Sequence, residues 1–194
     1  MMDLTIKRIQ SKIKYQKKVN YAYKVGLGIY MFIAIVVFTY LSIVIIQKKA
    51  EQGWAELFLP NGFWVASGVL LLFGGLMQAS LWFARNNDIN NLQYTLIATI
   101  ASALGVLASL GAAWRDLLSI VDLQSKGEAY LLTLSGFYGA QFLVALMFCV
   151  SVTVQSFHYK VHSKNMNAIE MVGAYITFLT LLWFYLLMFI QVII

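Results

Sequence analysis

At 194 residues the chain has the length of one ordinary domain, yet 61% of its residues are hydrophobic and only 11% are charged, against roughly half and a quarter in soluble domains. A globule this apolar cannot cover itself with polar surface, so a water-soluble fold is excluded and the excess must face lipid. The net charge of +6 raises nucleic acid and a membrane surface as partners, and the hydropathy decides for the membrane.

Residues 1–24 form a polar, basic segment. Ile6, Ile9 and Ile13 recur there at helical spacing with Lys12, Lys14, Lys17 and Lys18 around them. Two readings stand: a short amphipathic helix on anionic headgroups, or a solvated basic tail that only sets topology. The apolar run 25–46 that follows is too long for a signal-peptide core and precedes no A-x-A pattern, so it reads as a retained first span. A second span over 62–84 follows the only proline, Pro60, which is placed in the connecting loop. The third, over 94–113, is diluted by small residues, of which Ala101, Gly105, Ser109 and Ala113 recur every four positions. The fourth and fifth spans cover 130–157 and 171–194. Each window reaches the roughly 20 apolar residues that a bilayer core demands, and none alternates as a barrel strand would. The expected fold is therefore all-α, a single integral membrane domain of five transmembrane helices over 25–194.

Lys and Arg fall unevenly on the two sides. Lys7, Arg8, Lys12, Lys14, Lys17, Lys18, Lys24, Arg85, Lys160 and Lys164 share one face, against Lys48, Lys49, Arg115 and Lys126 on the other. The positive-inside rule then puts the N-terminus in the cytoplasm and the C-terminus in the periplasm. Trp54, Trp64 and Trp114 at one interface, with Trp82 and Tyr94 at the other, make an aromatic belt. Trp183, near the middle of the fifth span, is read as packing, with a lipid cleft or partner contact as alternatives.

Ionisable groups deep in a span are costly and mark function. Here Asp3, Glu51, Glu56, Asp88, Asp116, Asp122 and Glu128 fall in the tail or loops, Glu170 stands just before the fifth span, and no Lys, Arg or His lies within a span. A coupled transporter needs a buried charge or a broken helix for its ion, so the pattern argues for a structural subunit. His158 and His162, at i, i+4, share a helical face but lack carboxylate or cysteine companions, so they read as an interfacial pair rather than a metal site. The single cysteine, Cys149, excludes an intrachain disulfide or a CxxC redox pair. Small residues suited to close helix contact are Ala101, Gly105 and Ser109 on the third span, Gly75 with Ala79 on the second, and Ser135 and Gly136 with Gly139 on the fourth.

From Pro60 onward the residues resemble subunit III of the haem–copper respiratory oxidases, in its short five-span bacterial form. Leu59-Pro60-Asn61 and Ala66-Ser67-Gly68 are similar to the family's leucine-proline opening and small-residue face, and Leu104-Gly105 with Trp114 and Leu117-Leu118 to its third-helix exit. The stretch Thr133 to Gln141, through Ser135-Gly136-Phe137-Tyr138-Gly139-Ala140, looks like Thr-Gly-Phe-His-Gly-x-His with both histidines replaced, by Tyr138 and Gln141. Glu170 matches the acid that opens the last span, and Tyr175, Phe178 and Trp183 match its aromatic pattern, while Thr177 and Thr180 stand where histidine and aspartate are usual. Ile35-Val36 and Gln78-Ala79-Ser80 likewise replace polar family residues.

This resemblance implies an accessory subunit with no redox centre or metal of its own, in the bacterial inner membrane. Haems and copper would sit in partner subunits I and II, within an oxidase complex or a larger respiratory supercomplex. It implies a cleft holding phospholipid, with the first helix standing apart from the other four or pairing with the second across that cleft. Arg85, Lys17, Lys18 and Lys24 are the candidates for headgroup contact. A quinol oxidase subunit III, a haem-binding anchor using His158 or His162, and a small-solute transporter lined by Ser102, Ser109, Thr133, Gln141 and Thr180 remain the alternatives.

Overall fold

The computed structural model describes the backbone of residues 2–49, 60–120, 126–158 and 166–193, and the side chains of residues 19–49, 60–118, 129–158 and 166–192. Trp54, His162, Lys160 and Lys164, and the side chains of Lys17 and Lys18, lie outside these. Five helices follow in order: α1 Met2–Lys49, α2 Asn61–Arg85, α3 Ile89–Ile120, α4 Lys126–Phe157 and α5 Asn167–Ile193. Each contains a window long and apolar enough to cross a membrane. Each begins before its expected span, and α1, α2 and α3 also end beyond it, because polar flanking residues keep the helical hydrogen bonding that the apolar windows nucleate. The basic segment 2–24 continues into the first span as one helix.

Pro60, expected within a loop, stands at the α2 boundary as the residue before the first turn, with ψ of 144°. Its carbonyl accepts from the Phe63 N–H at 3.0 Å. Between α2 and α3 only residues 86–88 intervene. Asn87 adopts φ of 57°, a left-handed conformation that asparagine tolerates. The Asn87 N–H reaches the Ala84 carbonyl at 3.3 Å and the Asp88 N–H reaches that of Phe83 at 3.1 Å. These two bonds close a Schellman cap on α2. Asp88 then caps α3, its Oδ1 accepting from the Asn91 N–H at 3.2 Å, so one three-residue turn ends one helix and starts the next.

α2, α3, α4 and α5 close a four-helix ring in which each packs on its neighbours in sequence and α5 returns to α2. Among the described residues α1 packs on α5 and α4, and on neither α2 nor α3. That departs from a first helix that stands apart or pairs with α2. The cause is visible in the contacts: the Lys24–Glu170 ion pair at 3.1 Å and the Tyr185 hydroxyl on Ser42 Oγ at 3.1 Å fix α1 parallel to α5. Phe38 meets Phe137 of α4 edge-on, with centroids 5.4 Å apart. The outward faces of the helices carry Phe32, Leu72, Leu104, Met147 and Met188, all exposed, as lipid-facing surface requires.

The most extensive contact joins α2 and α3, and small residues permit it. A Cβ built on Gly62 would stand 2.8 Å from Ala113 Cβ and 3.0 Å from its Cα. Gly62→Val should therefore force the two backbones apart and cost about 1–3 kcal/mol. Equilibrium unfolding in mixed detergent micelles reads this directly; a variant as stable as the parent would show that the helices do not meet there.

Candidate functional site

Side chains on which the sequence resemblance rests converge inside the bundle. Trp183 is 2% exposed. Its indole N–H donates to Ser67 Oγ of α2 at 2.8 Å, its ring stacks on Phe63 at 5.8 Å and 11°, and Tyr138 of α4 lies 4.7 Å away. The Tyr138 hydroxyl donates to the Leu179 carbonyl at 3.3 Å. One aromatic group thus ties α2, α4 and α5 together, with Trp183 at its centre.

Less than one helical turn along α4, Gln141 (9% exposed) joins α1 to this core. Its side-chain carbonyl accepts two hydroxyls, from Tyr30 of α1 at 2.5 Å and from Tyr175 of α5 at 2.8 Å. The Tyr175 hydroxyl also reaches the Gln141 backbone oxygen at 3.2 Å. In an interior without water a hydroxyl needs such an acceptor, so the amide sets where α1 can sit. Gln141, Tyr175 and Ser67 belong to the stretches that carry the sequence resemblance; nothing local marks Tyr30 or Phe63, whose partners are 111 and 120 positions away.

Beside this group a cleft of about 610 Å³ opens between α1, α4 and α5. Leu27, Val144, Phe148, Val152 and Val172 give it apolar walls, and Tyr23, Tyr30, Ser151 and Gln155 supply its few polar atoms. It lies at the end of the bundle that holds the middle of α1, the N-terminal half of α5 and the C-terminal half of α4. This volume falls within the roughly 300–1,000 Å³ of ordinary ligand pockets. A second hollow, of about 340 Å³, lies on the other side of α1 and is lined by Lys24, Gly28, Met31, Glu170 and Ala174.

The headgroup candidates divide. Lys24 is engaged with Glu170 at 3.1 Å, and both are more than a third exposed. Lys24→Ala should therefore change unfolding free energy by no more than about 1 kcal/mol, measured in the same micelle titration; a loss several times larger would mean that the pair anchors α1. Arg85, exposed in the last turn of α2, stands at the same end of the bundle but does not line the cleft.

The packing candidates divide too. Gly105 faces Val69 of α2, where a Cβ would come within 3.2 Å, whereas Ala101 is exposed. Ser109 turns its hydroxyl onto the Gly105 carbonyl at 2.9 Å. Gly139 makes room for Trp114, whose ring would stand 2.6 Å from an added Cβ and whose N–H donates to Ser135 Oγ at 3.0 Å. Trp114, expected in the aromatic belt, is therefore wedged between α3 and α4; Trp64, Trp82 and Tyr94 are exposed as a belt requires. At Gly75 and Gly136 a Cβ would meet nothing, so neither is a point of close approach within the bundle. A strip of residues on one helix does not reveal which of them a neighbour will overlie.

Ser102, Ser109, Thr133 and Thr180 each donate to a carbonyl of their own helix. His158 is exposed just beyond α4, and among the described residues no group of His, Cys, Asp or Glu has a metal-binding arrangement. No protein-family model matches the chain, and comparison with curated proteins finds no match.

Proposed function

We propose that this chain is a non-redox accessory subunit of a terminal respiratory oxidase, of the subunit III kind, in a bacterial cytoplasmic membrane, with the N-terminal end of α1 in the cytoplasm. The observation that carries the reading is the fate of the resemblance residues. Tyr138, Gln141, Tyr175 and Trp183 hold α1, α2, α4 and α5 to one another, which is the work of a subunit whose output is a shaped surface. Spans free of ionisable groups fit the same role, since electron and proton chemistry then belongs to haem- and copper-bearing partners.

In this reading the cleft between α1, α4 and α5 takes a phospholipid acyl chain from the inner leaflet. Its walls are hydrocarbon, and Lys24 and Arg85 stand at the same end of the bundle, where anionic headgroups lie.

Purification through a tag on this chain in mild detergent tests the proposal. Haem-bearing oxidase subunits are expected to co-isolate, and the separated chain is expected to show no Soret band. Recovery of the chain without haem subunits, together with solute flux into proteoliposomes holding it alone, would overturn the reading in favour of a transporter.

A further inference from the structure

An amide stands on the outer surface of the bundle at a depth where lipid cannot satisfy it. Gln78 is exposed on α2 and lies five residues from the midpoint of Asn61–Arg85, about 7.5 Å along the axis. That is well inside a hydrocarbon core of about 30 Å. The register is fixed independently by Trp64 and Trp82, both exposed on the same helix and about 27 Å apart along it, the spacing of two interfacial belts. One N–H of Gln78 reaches Thr177 Oγ1 of α5 at 2.9 Å, and that hydroxyl donates in turn to the Gly173 carbonyl of its own helix. No other described residue meets the second N–H or the carbonyl oxygen of the amide. Exposed Thr133 and Ser151, by contrast, are closed onto backbone carbonyls of α4.

The surface around Gln78 is shaped for a backbone to come close. A Cβ at Gly75, one turn away, or at Gly68, three turns away, would meet nothing from this chain, and both glycines are exposed. Leu71 on α2 and Leu181 on α5, one to two turns from Gln78 and Thr177 along their helices, are exposed on the same surface. A polar side chain flanked by small residues at membrane depth is the pattern by which helices associate where lipid removes the hydrophobic drive.

We infer that the outer face shared by α2 and α5, centred on Gln78 and Thr177, is the docking surface for a transmembrane helix of another subunit, which brings a side chain able to donate and accept hydrogen bonds to the Gln78 amide. The inference rests on the accessory-subunit reading and adds which face is used. The occupant's chemistry follows from the vacancies it fills: an acceptor for one N–H, a donor for one carbonyl, and a small residue opposite Gly75. Lipid tails offer none of these.

A benzophenone attached through an introduced cysteine tests it in the full chain in native membranes, with Cys149 buried and out of reach. Leu71→Cys and Leu181→Cys place the probe on the proposed face, and Leu104→Cys and Leu143→Cys place it on α3 and α4. Adducts to an apolar segment of a different membrane polypeptide are expected from the first two at about ten times the yield of the last two. Gln78→Leu, which suits lipid, is expected to lower recovery of that polypeptide in detergent about tenfold, while the isolated chain, which loses only the surface bond to Thr177, still folds with a slightly lower unfolding midpoint. Adducts from α3 or α4 instead, or to a second copy of this chain, or full recovery with Gln78→Leu, would overturn the docking face and leave the accessory-subunit reading standing. Absence of adducts from every position, with no haem subunit co-isolating, would overturn both.

Discussion

Trp183→Ala should lower the unfolding free energy of the bundle by about 2–4 kcal/mol, the largest loss expected from any single truncation in this protein. Three contributions disappear together: the indole N–H bond to Ser67, the stack on Phe63 and the contact with Tyr138. The full cost familiar from water-soluble cores is not reached, because the unfolded chain in a micelle keeps its apolar surface in hydrocarbon and the transfer contribution largely drops out. What remains is the unfilled volume, the lost dispersion contacts and a serine hydroxyl deprived of its donor. Ser67 keeps its own bond to the Phe63 carbonyl at 2.7 Å, so the serine is not orphaned. Trp183→Phe separates the parts: it retains much of the stacking and forfeits the N–H, for about 1 kcal/mol. Denaturant titration in mixed micelles resolves these values. Equal losses for the two variants would mean that the hydrogen bond, and not ring packing, holds α5 to α2.

Gln141→Leu should release α1 while leaving the four-helix ring folded. Leucine fills similar space but removes the oxygen that accepts both tyrosine hydroxyls. Tyr175 keeps the backbone carbonyl of residue 141 at 3.2 Å; the Tyr30 hydroxyl loses its acceptor and must turn away. A lost bond of this kind is worth about 0.6–2 kcal/mol in a membrane bundle. That is enough to matter here, since α1 is the least buried of the five spans, with 22% of its window covered. Hydrogen exchange should therefore rise in α1 by about tenfold with protection in α2 to α5 unchanged. Tyr30→Phe should produce most of the same change, and the double variant no more than Gln141→Leu alone, because both act on one bond. A uniform rise across all helices would mean that α1 and the ring open as one unit.

These effects explain how the bundle can dispense with buried charge. Trp114 bonded to Ser135, Trp183 to Ser67 and Tyr30 with Tyr175 on Gln141 place neutral donors on neutral acceptors, which specifies helix neighbours without the desolvation penalty of an ion pair. The exposed Lys24–Glu170 pair is kept to the start of the first and fifth apolar spans, where water screens it.

Five apolar windows were legible in the residues alone, and all five are helices in the structure. Span number is decided by summed apolarity over about 20 residues, a one-dimensional quantity that any sequence displays. The short turn at residues 86–88 was legible in principle as well, in the run Asn86-Asn87-Asp88 ahead of a helix, although the expected loop ran on to residue 93. Which face of each span would be buried was not legible. In water a helix advertises its inner face by an apolar stripe; between lipid outside and protein inside, Leu71 and Leu70 are equally suitable, and only packing makes the first exposed and the second buried. For the same reason the tertiary structure alone decided that Gly62 and Gly139 are crowded while Gly75 and Gly136 are open, that Trp114 turns inward, and that α1 docks on α4 and α5. Those outcomes depend on distances between residues far apart in the chain, and in a solvent as apolar as the protein's own interior no local pattern records them.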